Sequence, residues 1–276
     1  MADVSAKDVA ALRKATGAGM MDCKNALAET DGDLEAAKEY LRKKGLAGAA
    51  KRAGRGGSQG AVDVQVDGTV GALVELTCET DFVAKGTDFS DTLTDLVNLV
   101  VEKGIDSGDA LAAVPYGAST VGEEVTQMAA RLGEDIQLGR VSRISSTDGV
   151  IDAYKHVQAD RGVIGVLVEL TGNDRELAHD VALHIASAAP RYLSRDDVPS
   201  DVVEKERDVL TELTRNEGKP ESALEKIVEG RIGGFFKEIC LLEQGYVKDP
   251  KVSIAKLLDE RGASVKQFVR VKVGEE

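Results

Sequence analysis

The spacing of apolar positions divides the chain into stretches of different period. Over the first ~45 residues the period is helical and predicts three short helices. Ser5, with Asp8 three positions on, marks a helix start, and Val9 and Leu12 supply a buried face. Thr16-Gly17-Ala18-Gly19 breaks the chain, and Met20 and Met21 open a second helix carrying Ala26 and Leu27. Asp31-Gly32-Asp33 is a turn and cap before a third helix, where Leu34, Ala37 and Leu41 share a face and Gly45 ends the element. Pattern alone favours Met20 and Met21 as core filling over an exposed, adaptable contact surface. From Gly45 to Gly60, six glycines mixed with Lys51, Arg52 and Arg55 predict a flexible linker.

The middle of the chain alternates as strands do, and it repeats. Gly71-Ala72-Leu73-Val74-Glu75-Leu76-Thr77 recurs as Gly165-Val166-Leu167-Val168-Glu169-Leu170-Thr171. Before each copy lies a strand-like run (Val62, Val64, Val66; then Ile151 to Val157) and a turn, Asp67-Gly68 or Asp160-Arg161-Gly162. After each comes a helical stripe: Phe89, Leu93, Leu96, Val97 and Val100, then Leu177, Val181, Ile185 and Ala188. A hairpin-plus-helix unit used twice predicts two related α+β subdomains.

The copies differ where strand passes into helix. The second has Gly172-Asn173-Asp174, ordinary turn chemistry. The first has Cys78-Glu79-Thr80-Asp81-Phe82-Val83-Ala84, with an aromatic and a carboxylate side by side. Pattern alone reads Phe82 as a staple packed at the helix start, with a contact awaiting a partner as the alternative. Further on, half of the residues from Glu204 to Arg231 are charged, leaving a narrow stripe of Val202, Val209 and Leu213. After Gly218-Lys219-Pro220 a returning stripe of Ala223, Leu224, Ile227 and Val228 follows, which predicts an antiparallel coiled-coil hairpin. A helix near Leu257 and a strand from Val265 to Val273 close the chain.

Composition narrows the chemistry. In 276 residues the chain carries 35 Lys and Arg against 48 Asp and Glu, a net −13, so nucleic acid is not expected as a direct partner. The cations between Leu41 and Arg55 read as a solvated helix end ahead of an RNA-binding patch. No run of ~18 apolar residues is present to span a membrane, the first residues do not resemble a signal peptide, and a cytoplasmic location is expected. Cys23, Cys78 and Cys240 are scattered, so neither a disulfide framework nor a thiolate zinc site is indicated. His179 and His184 lack the spacing of a helical zinc pair, and Gly17-Ala18-Gly19 and Gly218-Lys219-Pro220 fail as phosphate loops. No cofactor is expected.

Thr16-Gly17-Ala18-Gly19-Met20-Met21-Asp22-Cys23-Lys24, Thr80-Asp81-Phe82-Val83-Ala84 and Val228-Glu229-Gly230-Arg231 closely resemble signature stretches of the bacterial elongation factor Ts family. Leu241-Leu242-Glu243-Gln244 and Val247-Lys248-Asp249-Pro250 resemble a further one, and the likeness is collinear over essentially the whole chain. The resemblance implies an α+β protein with a ubiquitin-associated-type three-helix module and linker at residues 1–54. Two core subdomains would follow at 55–149 and 150–276, the second interrupted by a coiled-coil hairpin at about 195–234. It implies a guanine-nucleotide exchange factor, not an enzyme of bond chemistry, whose partner is elongation factor Tu in its GDP-bound and nucleotide-free forms. Thr80, Asp81, Phe82 and Val83 would then push into the GTPase close to its magnesium site, with Leu12, Met20, Met21 and His156 as further contacts. Self-association through the coiled coil is left open.

Three departures accompany the likeness. His156 is followed by a longer turn than the family's, Gly245-Tyr246 stands where Pro-Phe is expected, and a C-terminal partner-contacting segment of some members is not expected here. Two other classes remain for comparison. One is a noncatalytic adaptor using the three-helix module and coiled coil; the other, less favoured, is a hydrolase built on Asp81, Glu79 and His156.

Overall fold

The computed structural model describes residues 4–52 and 54–275. Helices α1 (Ala6–Thr16), α2 (Met20–Glu29) and α3 (Leu34–Arg52) form a small cluster around Leu12, Cys23, Ala26, Leu27 and Ala37. Their ends follow the expected chemistry. The Ser5 hydroxyl accepts the Asp8 N–H, Gly17 closes α1 in the left-handed region, and Asp33 accepts the Glu35 and Ala36 N–H groups at the start of α3.

The glycine-rich stretch departs from expectation. Gly45 does not end α3, which continues to Arg52. A methyl group at Gly45 would lie 2.8 Å from the Ala130 Cβ, and one at Gly57 would lie 2.2 Å from the Cys78 carbonyl oxygen. These glycines permit close approach between segments distant in sequence; they do not form a loose tether.

The first repeat unit comprises β1 (Gln59–Asp67), β2 (Val70–Cys78), the single turn α4 (Asp81–Ala84) and α5 (Thr87–Lys103). It continues through α6 (Gly108–Ala112), β3 (Pro115–Tyr116), β4 (Ser119–Thr120), α7 (Val121–Leu132) and β5 (Gln137–Ser145). The second contains β6 (Gly149–Gln158), β7 (Arg161–Thr171), α8 (Arg175–Ala188), α9 (Ser200–Asn216) and α10 (Glu221–Ile239). β8 (Gly245–Tyr246), β9 (Asp249–Ser253), α11 (Ile254–Glu260) and β10 (Val265–Lys272) complete it.

Each unit forms a three-stranded antiparallel sheet with the repeated segment in the middle, β1-β2-β5 and β6-β7-β10. Along β2, Ala72, Val74, Leu76 and Cys78 pack with the α5 and α7 side chains, while Leu73 joins Leu167 of β7 between the sheets. Along β7, Val166, Val168 and Leu170 pack with α8 and α11. Burial on both faces explains why both copies read as nearly continuous apolar runs.

The packing between the sheets is reciprocal. A methyl at Gly71 would meet Ile151 and Leu167, whereas one at Gly165 would meet Val62, Val64 and Leu73. The two glycines are equivalent in the repeat, and so are Leu73 and Leu167. The one charged position in each copy is also matched. Buried Glu75 accepts from Arg140 of β5 (3.0 Å to Nε), and buried Glu169 accepts from Gln267 of β10 (2.8 Å) with Lys266 at 3.3 Å.

The charged segment is an antiparallel helical hairpin. Arg207 pairs with Glu229, Arg215 with Glu221 and Arg231 with Glu217 across α9 and α10. The packed row on α9 differs from the expected stripe: Thr214 is fully buried, whereas Val209 and Leu213 are exposed. Thr214 can pack inward because its hydroxyl donates to the Leu210 carbonyl at 2.6 Å, so no polar atom is stranded. On α10, Leu224 and Val228 are buried as the pattern requires. Among the described residues, no helix is long and apolar enough to cross a membrane.

Candidate partner-binding surface

The β2–α5 connection sets one aromatic ring into solvent. β2 ends at Cys78, Thr80 caps α4 by accepting the Val83 N–H at 3.4 Å, and Ala84 is buried with Val83 half-buried against the core. That single turn points Phe82 outward at 82% exposure, so the staple reading is overturned. Val83 and Ala84 do the packing that the pattern assigned to the ring.

The turn is braced on both flanks. Asp81 forms an i,i+4 ion pair with Lys85 at 2.5 Å. The Lys85 hydrogen bond holds the Asp81 carboxyl below the usual carboxylate range, and the charge of Arg161 adds to the effect. At the base, the Glu134 carboxylate accepts the Glu79 N–H (3.1 Å), the Thr80 N–H (3.0 Å) and the Thr80 hydroxyl (2.5 Å). Glu79 in turn accepts the Asp135 N–H at 2.8 Å. The Cys78 thiol, buried beside Glu134 with its sulfur 3.1 Å from the Thr80 carbonyl, is pushed up to about 12, chiefly by burial.

His156 stands exposed on β6, with its Nδ1 3.3 Å from the Tyr154 hydroxyl and the two rings stacked at 6.3 Å. The segment that follows it is strand and a tight turn, not the long turn expected from the sequence. β6 runs to Gln158, paired with Arg161, and Ala159 and Asp160 make a two-residue turn with φ of 50° and 63°. Arg161 and Gly162 therefore lie in the strand, not in the turn where the pattern put them. Arg161 fastens this end to the first sheet, donating to the Gly60 carbonyl (2.6 Å) and to Gln59 Oε1 (2.7 Å).

Met20 and Met21 occupy the first turn of α2 at 60% and 63% exposure, so neither fills the core. Leu12 does. It is fully buried beneath α2, and its expected place among surface contacts is corrected: it supports the surface from within. The nearby cations are largely paired, Lys43 with Glu39, Lys44 with Asp22, and Arg52 donating to the Ala129 carbonyl.

Glu79, Asp81 and His156 do not converge. Glu79 is engaged with Asp135, Asp81 with Lys85 and His156 with Tyr154. The cavity of about 740 Å³ between α3 and α7 and the groove of about 840 Å³ beside β10 include none of the three. Among the described residues, no group of three or more His, Cys, Asp or Glu is placed to hold a metal ion. The surface offers exposed apolar side chains on stiff supports, an arrangement suited to pressing on another molecule. Sequence reasoning missed Glu134 and Arg161, whose partners lie far away along the chain.

Comparison with known proteins gives a consistent result. The family described as Elongation factor TS matches residues 79–275. The chain is 48% identical over 277 residues to Elongation factor Ts of Mycobacterium ulcerans (strain Agy99), covering all of both chains. It is 46% identical over 274 residues to that of Clavibacter michiganensis subsp. michiganensis (strain NCPPB 382), covering 99% of this chain and all of the relative. Elongation factor Ts of Micrococcus luteus is 44% identical over 279 residues, with the same coverage.

Proposed function

The chain belongs to the elongation factor Ts family, and from that premise we propose that it is a guanine-nucleotide exchange factor acting in the cytoplasm during translation elongation. In this reading it accelerates GDP release from elongation factor Tu. Residues 1–54 are a ubiquitin-associated-type module and linker, residues 55–149 and 150–276 are the two core subdomains, and the hairpin at about 195–234 is an inserted coiled coil.

The observation that carries the reading is the exposed Phe82 on a braced turn. Met20 and Met21 dock the chain on the nucleotide domain of the GTPase. The Thr80-Asp81-Phe82-Val83 turn enters between GTPase helices close to the magnesium site. Mg²⁺ bridges protein ligands and nucleotide phosphates, so shifting its ligands loosens the nucleotide. Asp81, already engaged by Lys85, acts by rearranging local hydrogen bonds and does not chelate the ion. His156 presses on the same partner from the neighbouring hairpin.

Exchange needs the factor to bind nucleotide-free GTPase more tightly than the GDP complex, and linkage makes each ligand weaken the other equally. Burying a phenylalanine side chain is worth about 2–3 kcal/mol. If Phe82 is buried only in the nucleotide-free complex, that corresponds to roughly 30- to 150-fold faster release. No substrate bond is made or broken.

The test is release of a fluorescent GDP analogue from purified elongation factor Tu in excess GDP, with magnesium held constant. The native chain is expected to accelerate release, and Phe82→Ala to slow it by about one to two orders of magnitude without loss of fold. Fast release with Phe82→Ala and Asp81→Ala alike would move the mechanism to His156 or the N-terminal helices. No acceleration by the folded native chain would refute exchange on this partner and bring the adaptor reading forward.

A further inference from the structure

We infer that Glu134 is a positioning residue for exchange: it fixes the direction in which Phe82 points. The inference rests on the exchange-factor reading above. The hydrogen-bond accounting of the turn is its starting point. β2 pairs with β1 only as far as Cys78, so the Glu79 and Thr80 amides have no partner in the sheet. One side chain satisfies both.

Gly133 ends α7 in the left-handed region (φ 77°), and the chain turns so that Glu134 reaches the far side of the junction. One carboxylate oxygen takes both amides, and the other takes the Thr80 hydroxyl proton. Because that proton is committed to Glu134, a lone pair of the same oxygen is left facing the Val83 N–H that it caps. A continuous path therefore runs from Glu134 through the Thr80 hydroxyl to the start of α4, the turn that carries Phe82. Glu79 closes the clasp by capping the Asp135 amide, with Arg55 at 4.0 Å from its carboxylate.

The repeat supplies an internal control. At the matching junction of the second unit, Asp174 caps α8 with its own side chain, accepting the Leu177 N–H at 3.0 Å. Among the described residues no carboxylate from another element acts on the backbone of that connection; its long-range tie is Arg261, which donates to the Asp174 side chain at 2.9 Å. The borrowed brace occurs in the copy that presents an exposed phenylalanine, so its service is to the ring's direction beyond what the strand-to-helix junction needs. It also ties the turn to the end of α7, the helix against which Gly45 of α3 packs. The helix cluster that carries the methionines and the turn that carries Phe82 are thus both packed on α7 or its end.

The experiment compares the full chain with Glu134→Ala, Glu134→Gln, Phe82→Ala and the Glu134→Ala/Phe82→Ala pair in saturation kinetics of fluorescent GDP release from elongation factor Tu. Loss of orientation without loss of docking predicts about a tenfold lower maximal rate for Glu134→Ala, with the half-saturating concentration changed by less than about twofold. Glu134→Gln, of the same shape but without charge, should fall between, and it carries the comparison if the alanine variant does not fold. In the Phe82→Ala background, Glu134→Ala should add nothing, and native-state exchange should show the Glu79 and Thr80 amides deprotected while β2 stays protected. A full additive loss in that background, or a normal maximal rate for both Glu134 variants while Phe82→Ala is slow, would overturn the inference alone. No effect of Phe82→Ala would instead overturn the wedge reading, and this inference with it.

Discussion

Substituting alanine for glycine should change stability in opposite directions at Gly165 and Gly230, although the added atom is the same. Neither residue takes a left-handed backbone, so no conformational strain enters at either site. In both, alanine narrows the unfolded ensemble, a gain of about 0.4–1 kcal/mol. At Gly165 the new methyl would sit 2.8 Å from Val62 Cγ2 and 3.0 Å from both Leu73 Cδ1 and Val64 Cγ1. All three are packed between the two sheets, and overfilling such a core costs about 1–3 kcal/mol. The net expectation for Gly165→Ala is a loss of about 1–2 kcal/mol, or roughly 2–8 °C in Tm for a chain of this size. Gly230 lies on the exposed face of α10 with nothing within 4 Å of the added methyl. There Gly230→Ala should gain about 1 kcal/mol from helix propensity. The equivalent Gly71→Ala, with closest contacts at 2.9 and 3.2 Å, should resemble Gly165→Ala with a slightly smaller loss. Urea unfolding followed by circular dichroism at 222 nm reads all three. A midpoint raised by Gly165→Ala, or lowered by Gly230→Ala, would refute the reciprocal sheet packing or the open hairpin face.

Leu12→Ala should cost about 2–5 kcal/mol in the N-terminal helices, seen as loss of their helical signal. Met20→Ser and Met21→Ser should leave stability within about 0.5 kcal/mol while raising the concentration of chain needed for half-maximal GDP release. His184 should make stability fall in mild acid. Both Gln244 amide hydrogens go to carbonyls, of Ala188 and Glu238, so its oxygen faces His184 Nε2, which must donate, and Nδ1 accepts the Val247 N–H. Burial lowers the pKa of this neutral ring below its unfolded value of about 6.5, so its contribution is complete above that pH. It is lost progressively as pH falls toward the folded pKa, since the unfolded chain then binds the extra proton. The fall in urea midpoint between pH 7.5 and 5.5 should accordingly be smaller in His184→Gln, and an equal fall would refute the assignment. Cys23, Cys78 and Cys240 are all buried, so Ellman's reagent at pH 8 should label three thiols promptly only in urea; fast labelling of the folded chain would contradict their packing.

Local patterns were legible because their causes are local. The Ser5 and Asp33 caps and the Phe89 to Val100 stripe depend on neighbours three or four residues away, and they appear where spacing predicts them. The repeat was legible for another reason: burial on both faces of β2 and β7 leaves little freedom of composition. What failed depended on distant partners. Glycine composition cannot separate a flexible tether from close packing, and Gly45 and Gly57 were misread because Ala130 and Cys78 are remote in sequence. The α9 stripe was misread because Thr214 counts as polar by type but satisfies its hydroxyl on its own helix. Phe82 was misread from pattern because burial statistics describe the average large apolar residue, and the tight α4 turn spends Val83 and Ala84 on the core and leaves the ring outside.

The same contrast explains where the candidate site arose in a duplicated frame. The two central strands are bound by reciprocity: a change at Gly71 or Leu73 meets Leu167 or Gly165 across the sheets, so the copies must keep step. Glu75 and Glu169 are held likewise, each buried against donors of its own third strand. The strand-to-helix junction carries no such obligation, because a helix start can be capped from within, as Asp174 does. The second copy stops at that cap, whose other oxygen accepts from Arg261. The first copy keeps its own Thr80 cap, adds Glu134 from beyond the end of α7, and uses the rigidity so obtained to hold Phe82 in water. Exposing a large apolar side chain has no stabilising return within the monomer. An external brace on the turn that carries it is accounted for if the ring's direction matters to a second molecule, which is why Glu134 and Phe82 should respond to substitution as one unit.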